Sequence, residues 1–366
     1  MRVPFLDLRR QYTELEAVID ADVKEILSTG AYVMGKHNRG LEEEVARYQG
    51  VKHAIAVNSG TDALRIGLDA LGIGAGDEVV TVAFTFVATV EAIVQVGAKP
   101  VFVDIRREDQ MIDPALIEAA ITPNTKAIMP VHLWGQMADM ASINAIAKKH
   151  NLYVIEDAAQ AIGSTQGGQG AGNFGQVAGI SFYVTKNLGA AGDGGMIVTN
   201  DDTVAETCRS MRIHGMGKER YYYDHIGYTS RLSELQAAIL RHKLSKLDEW
   251  TAMRQAIAAK LIAGLEGSGI GLPVTCAGNN HTWHQFTILA PRRDELQAFL
   301  KEREIDSMIY YPVPLHYHAP YKHLAPKGSL PVTEQASLDV LSLPVHQYLG
   351  DDEVAWVCES IQAFYR

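Results

Sequence analysis

The segment Ser181-Phe182-Tyr183-Val184-Thr185-Lys186-Asn187-Leu188-Gly189 sets a lysine just beyond a short apolar run. Gly189, Gly192, Gly194 and Gly195 then put four glycines in seven positions, and glycine lets the backbone approach a bulky ligand closely. A desolvated lysine amine gives up its proton more readily and can form a Schiff base. The plainer alternative is a surface lysine in a flexible loop. In Leu152-Tyr153-Val154-Ile155-Glu156-Asp157-Ala158-Ala159-Gln160, an apolar run ends in Asp157 and turns through small residues. A carboxylate at that depth is costly without a cationic partner; a helix cap or structural salt bridge is the other option. Asn58-Ser59-Gly60-Thr61-Asp62-Ala63-Leu64 offers small residues at a helix start. Free N–H groups and the helix dipole favour an anion such as phosphate there, although the same residues are common N-caps. Ala83-Phe84-Thr85-Phe86-Val87-Ala88-Thr89 adds aromatic rings at a similar junction, suited to stacking on a planar ring or to core packing.

Together the four segments describe one ligand. Pyridoxal phosphate (PLP) needs a lysine for its imine, a carboxylate that keeps its ring nitrogen protonated, a phosphate cup and a flat cover. Lys186, Asp157, Gly60–Thr61 with Ser181, and Phe86 match those roles. The protonated ring then accepts the electron pair left when a substrate loses a proton. No metal is expected.

These residues need a scaffold that brings them to one edge. Short β-branched runs at 53–57, 78–82, 100–104, 127–131, 152–157, 180–183 and 196–199 alternate with helix-period segments at 61–71, 87–96, 114–119, 142–150 and 203–211. That alternation predicts an α/β fold with a mostly parallel, seven-stranded sheet flanked by helices; the last strand has an antiparallel edge as one option. In such sheets ligands sit beyond the carboxyl ends of the strands. After Arg231, Leu232, Leu235, Ile239, Leu240, Leu244 and Leu247 recur at helical spacing and predict one long amphipathic helix. Helices near 293–303 and 351–364 then indicate a smaller C-terminal α/β domain. The expected division is a large PLP-binding domain over residues 1–240, with an N-terminal helix near 14–27 packing near the small domain, and a small domain over 241–366.

Composition supports an ordinary soluble chain. The 366 residues exceed one typical core of ~150, and 47% hydrophobic with 21% charged residues is a globular mix. With 43 acidic and 33 basic residues the net charge is −10, which argues against nucleic-acid binding. A local pocket can still take an anionic small molecule. Cys208, Cys276 and Cys358 form no CxxC or zinc spacing, which points to a reducing cytoplasm. The opening residues lack the apolar core of a leader, and Glu91, Gln95 and Lys99 interrupt the apolar stretch at 87–103, so no membrane span is expected.

In their order, the motifs resemble the DegT/DnrJ/EryC1/StrS family of nucleotide-sugar aminotransferases over effectively the whole chain. The likeness begins at Val3-Pro4-Phe5-Leu6-Asp7-Leu8 and runs through the four segments above. It continues in Ser230-Arg231-Leu232-Ser233-Glu234-Leu235-Gln236-Ala237-Ala238 and closes at Tyr311-Pro312-Val313-Pro314-Leu315-His316. The resemblance implies the type I PLP-dependent aminotransferase fold. It makes Lys186 the imine-forming proton carrier and Asp157 the partner of the ring nitrogen. Gln160 then bonds the ring hydroxyl, Thr61, Gly60 and Ser181 hold the phosphate, and Phe86 stacks on the ring. It further implies a homodimer with the site at the interface. Thr229 stands where relatives place an asparagine that reaches the partner subunit's cofactor.

The implied reaction moves an amine from an amino acid, L-glutamate in most relatives, to a keto-sugar carried on a nucleoside diphosphate. The retained lysine separates the chain from relatives that dehydrate. The 181–189 segment resembles members acting on dTDP- or UDP-linked 3-keto sugars; a 4-keto sugar is the alternative. Substrate contacts are expected from Tyr183, His214, Arg220, Tyr310, Tyr311 and His316. Readings of another class are a regulator that binds PLP and sugar nucleotide without turnover, and a PLP lyase acting on amino acids alone.

Overall fold

Seven strands form the central sheet of the computed structural model, which describes residues 1–366. In chain order they are β1 (His53–Val57), β2 (Glu78–Val82), β3 (Lys99–Val103), β4 (Thr125–Ile128), β5 (Tyr153–Asp157), β8 (Val177–Ser181) and β9 (Gly195–Thr199). A small hairpin, β6 (Thr165–Gln166) and β7 (Gln169–Gly170), lies between β5 and β8. The spatial order is β1-β9-β8-β5-β4-β2-β3. From β8 to β3 all neighbours are parallel, whereas β9 runs antiparallel to both β8 and β1. The reversed strand is therefore not an edge. It returns from β8 through the short glycine-rich loop, pairs beside it, and β1 closes the sheet outside it.

The helices of this part are α1 (Leu8–Thr29), α2 (Lys36–Gln49), α3 (Gly60–Ala70), α4 (Ala88–Gln95), α5 (Pro114–Ala120), α6 (Met140–His150) and α7 (Asp202–Met211). Successive strand side chains point to opposite faces, and the two faces bury separate clusters. Ala54, Ala56, Met196 and Val198 enter one, with α2 and α6; Ile55, Val57 and Ile197 enter the other, with α3 and α7. Every residue of β2, β8 and β9 is buried, as strands covered on both faces require.

The single long helix expected across 232–247 is instead two, α8 (Glu234–Leu244) and α9 (Leu247–Leu265). Ser245 Oγ donates to His242 O at 2.7 Å, and such a side-chain bond competes with continuation of the helix. Beyond the break the chain builds β10 (Asn279–Asn280), β11 (Phe286–Leu289), α10 (Arg293–Glu302), α11 (Pro331–Asp339), β12 (Val340–Leu343) and α12 (Asp351–Tyr365). β11 and β12 pair antiparallel, and a third cluster of 20 buried residues spans α9, β11, α10, β12 and α12. Val3 joins that cluster and pairs with Ile305. α1 rests Leu15 and Ile19 on Trp250, and its Arg10 and Glu14 bond Tyr348. Residue 240 falls inside α8, and Leu240, Leu244 and Leu247 pack in the larger cluster. No helix is long and apolar enough to cross a membrane.

α2 has no counterpart among the helices the sequence predicts, because its capping partner is remote. Glu234 accepts hydrogen bonds from the backbone N–H groups of Gly35, His37 and Asn38 and from the Asn38 side chain, at 2.6–2.9 Å. No local residue signals that cap.

Candidate active site

Each of the four segments follows the carboxyl end of a strand, β1, β2, β5 or β8, and all four ends open on one edge of the sheet. β9 begins at that edge, with Gly195 opposite both Val57 and Ser181. A Cβ on Gly195 would lie 2.3 Å from the Ser59 carbonyl carbon, and one on Gly60 would lie 2.7 Å from Ser181 Cβ. Only glycines permit this approach, which sets Ser181 against the start of α3. Ser59 Oγ caps the helix by accepting from Asp62 N–H at 3.1 Å, and Thr61 occupies the first turn, half-buried.

Asp157 is buried at the end of β5, with one oxygen accepting from Thr89 Oγ1 at 2.7 Å and the other from Ala159 N–H at 3.2 Å. Burial pushes its carboxyl above the ordinary value, while these two bonds and the charge of Lys186 pull the other way. Lys186 is half-buried. Crowding by the cleft walls lowers its amine to about 8, and Asp157 opposes that shift through space, without a hydrogen bond.

The loop that carries the lysine is pinned on three sides. Lys186 N–H donates to Tyr183 O at 2.8 Å. Lys243, buried on α8, donates to Gly189 O at 2.7 Å. Asn187 donates to Thr282 O at 2.9 Å, while its carbonyl oxygen lies 3.3 Å from His284 Nδ1.

The aromatic segment divides its two rings. Phe84 is fully buried and packs edge-on against Trp134 and Tyr311 at 6.3 and 6.1 Å. Phe86 is 58% exposed, with its ring 6.4 Å from that of Tyr311. Gln160 is held between Trp134 N–H, which donates to its oxygen at 2.9 Å, and the Tyr311 hydroxyl, 3.2 Å from its nitrogen. Tyr183 is exposed beside the lysine loop, and Tyr310 is half-buried next to Tyr311 at a ring distance of 5.8 Å.

His214, Arg220 and Thr229 are exposed on a segment over 213–229, whose following residue, Ser230, bonds Asn58. Thr229 Oγ1 sits 3.3 Å from His214 Nε2, and Arg220 stacks on Tyr221. His316 departs from expectation: its side chain is wholly buried and bonds Glu334 at 3.0 Å, so it offers no face to a ligand. It follows Leu315, which enters a small apolar cluster; the Glu334 carboxylate partners Nε2 there, and Nδ1 is buried without a partner.

Several residues that shape the cleft were not singled out from the sequence. Thr85 and Thr89 approach within 2.8 Å of each other and lead to Asp157. His132 Nδ1 accepts from Ala138 N–H, so Nε2 is the nitrogen that donates to the buried Glu156 at 2.9 Å. Lys243, Arg254 and His284 come from α8, α9 and the segment before β11, and no motif spacing announces them. The Thr85–Thr89 spacing at the strand-to-helix junction is the one local signal among them.

A cradle that a Cβ would fill, a buried acid, an exposed ring and a desolvated amine together fit PLP. The fold is the type I fold of PLP-dependent aminotransferases, as its structural neighbours share. The chain belongs to the DegT/DnrJ/EryC1/StrS aminotransferase family, whose model matches residues 13–362, and it is an aminotransferase. It is 50% identical to the pleiotropic regulatory protein of Geobacillus stearothermophilus, covering 100% of this chain and 99% of that one. It is 44% identical to dTDP-3-amino-3,4,6-trideoxy-alpha-D-glucose transaminase of Streptomyces venezuelae, covering 99% and 96%. It is 45% identical to UDP-N-acetyl-3-dehydro-alpha-D-glucosamine 3-aminotransferase of Acidithiobacillus ferrooxidans, covering 98% and 97%. The crystal structure of S. venezuelae DesV with a ketimine intermediate superposes with a TM-score of 0.97 at 44% identity, covering 100% and 99%. NtdA of Bacillus subtilis with bound cofactor PMP gives 0.93 at 33% identity, covering 100% and 85%.

Proposed function

We propose that this aminotransferase uses PLP to move an amino group from an amino acid, L-glutamate, to the C3 keto group of a dTDP- or UDP-linked sugar. The observation that carries the reading is the pairing of Lys186, lowered to about 8, with the buried Asp157 at one edge of the sheet. The relatives of 44% and 45% identity are named for 3-amino or 3-dehydro sugars on dTDP and UDP, which supports the sugar class and the ring position.

Gly60, Thr61 and Ser181 would hold the cofactor phosphate, with the α3 dipole favouring its charge. Phe86 would cover the ring, Asp157 would bond its nitrogen, and Gln160 would share its amide with the ring hydroxyl. When bound, PLP supplies an electrophilic carbon and a ring that accepts an electron pair. Lys186 Nζ, as the free amine, takes the proton from the nitrogen-bearing carbon of the donor and returns one to C3 of the sugar. Thr89 and Ala159 keep Asp157 aimed and ionisable through both halves. Tyr183, Tyr310 and Tyr311 ring the opening for the sugar.

The reading includes a homodimer in a cytoplasmic setting, with the larger N-terminal part binding cofactor and the C-terminal part closing the cleft. Tyr221, Tyr222, Tyr223 and Ile226 are 58–92% exposed on the segment that also carries His214, Arg220 and Thr229. So large an apolar surface suits a subunit interface and would let Thr229 reach the partner's cofactor phosphate.

The test is amination of a panel of 3-keto and 4-keto nucleotide sugars with L-glutamate. Product from the 3-keto members supports the reading; product only from the 4-keto members moves the site of amination. Binding without turnover draws on the regulatory name of the 50%-identical relative. A binder has no need of Lys186, and exchange of an amino group between glutamate and any keto-sugar separates the two.

A further inference from the structure

A cavity beside the lysine loop is lined by Thr185, Arg254, His284 and Gln285, with Phe5 and Tyr310 closing it. Arg254 is 5% exposed. Its Nη1 donates to Val345 O at 2.7 Å and Trp283 O at 3.2 Å. Nε and Nη2 bond nothing in the chain and are not sealed from the cavity. No carboxylate pairs with this guanidinium; Tyr348, His284 and His346 are the titratable side chains that interact with it. A buried cation without an anion is costly, and this one faces a space next to the reactive lysine.

His284 supplies the complementary group. Asn187 is oriented by its donation to Thr282 O, so its oxygen faces His284 Nδ1 and must accept from it. The proton therefore sits on Nδ1, which leaves the Nε2 lone pair free. Burial and the nearby charges of Lys186 and Arg254 disfavour a second proton. The one acid of the lining, Asp306, is exposed at the rim, where it accepts from Phe5 N–H at 3.4 Å.

We propose that this cavity is the amino-donor subsite: Arg254 Nε and Nη2 take the carboxylate of a free α-amino acid, and His284 Nε2 accepts from its ammonium. The assignment rests on the aminotransferase reading above and deepens it. A zwitterion places its two charges as the cavity places its two groups, and Thr185 forms the wall immediately before Lys186. Arg254 is thereby a donor-specificity residue, without a part in sugar recognition.

The experiment follows the donor half-reaction of holoenzyme with L-glutamate alone, by the change in cofactor absorbance, and then the second half-reaction with keto-sugar. Arg254→Gln raises the half-saturating glutamate concentration by about 10- to 100-fold, the loss of a charge-assisted bond, and leaves that of the sugar within about threefold. Because Arg254 also holds two carbonyls, wild-type holoenzyme is tested with glutarate, which competes with glutamate and leaves the sugar half-reaction unaffected. His284→Leu weakens glutamate and spares glutarate. Unchanged glutamate dependence in Arg254→Gln, or glutarate that does not compete, overturns the subsite while sugar amination leaves the aminotransferase reading intact. A defect confined to sugars bearing a C6 carboxylate also overturns it by assigning the guanidinium to the sugar. If no keto-sugar is aminated but Arg254→Gln still weakens glutamate, the subsite stands and the sugar reading falls.

Discussion

Thr89 Oγ1 donates to Asp157 Oδ2 at 2.7 Å. A hydroxyl has one hydrogen, so in the neighbouring 2.8 Å contact Thr85 is the donor and Thr89 the acceptor. The two threonines thus aim the acid from the turn that also presents Phe86. Thr89→Val keeps the volume and removes the donor. It should weaken PLP binding by about tenfold, the worth of one bond to a charged group, and Thr89→Ser should restore it. Titration of apo protein followed by visible absorption decides; equal affinity in Thr89→Val would remove Thr89 from the account.

The depressed Lys186 amine sets a pH dependence. Burial favours the uncharged form, so the folded value falls from 10.5 to about 8. Below that value the free-amine fraction rises with pH, and above it the fraction is saturated. The initial rate of PLP capture by apo protein should therefore climb and level off above about pH 8. Stopped-flow absorbance across the range measures this. A rate still climbing past pH 10 would mean an ordinary exposed lysine.

Glu156 points away from the cleft and holds its floor. It accepts from His132 Nε2, Gly172 N–H, Phe174 N–H and Gly175 N–H at 2.7–2.9 Å, fully buried. Glu156→Ala strands those donors and should cost about 3–5 kcal/mol in denaturant unfolding. Burial raises the carboxyl's proton affinity, but the bonds from His132 and the backbone outweigh it, and the folded value lies below 4.5. The group's stabilisation is then complete above the unfolded value and is lost as pH falls through the folded one. Wild type should lose more stability than Glu156→Gln does as pH falls from about 4.5 down through the folded value; equal losses would show that the carboxylate contributes nothing there.

Gly195 tests the phosphate cup. An added Cβ meets Ser59 backbone at 2.3 Å, which cannot rotate aside. Gly195→Ala should cost about 1–3 kcal/mol through overpacking and reduce PLP affinity more than Thr89→Val does. Calorimetric titration with PLP checks it, and a variant with undiminished affinity would place the phosphate elsewhere.

Much of this site could be read from residue order because it is built from strand ends. An apolar run ending in Asp157, a run ending before Lys186 and small residues after Val57 are local signals, and the sheet brings them to one edge by topology alone. Predicted strands fell within three residues of β1 to β5, β8 and β9. What could not be read depends on partners distant in sequence. Glu234 caps α2 from 196–199 residues away, Lys243 pins Gly189 across 54, and Asn187 meets His284 across 97. His316 is not separable in the sequence, because a histidine in a motif and a buried histidine bonded to a glutamate 18 residues on are spelled alike.

In the proposed reaction a single amine, that of Lys186, carries the cofactor. Holo protein reduced with borohydride, digested and analysed by mass spectrometry should bear its phosphopyridoxyl group on the peptide containing Lys186, and Lys186→Ala should bear none and fail to transfer an amino group. A label on a different lysine, or an unlabelled protein that still transfers amino groups, would contradict the account.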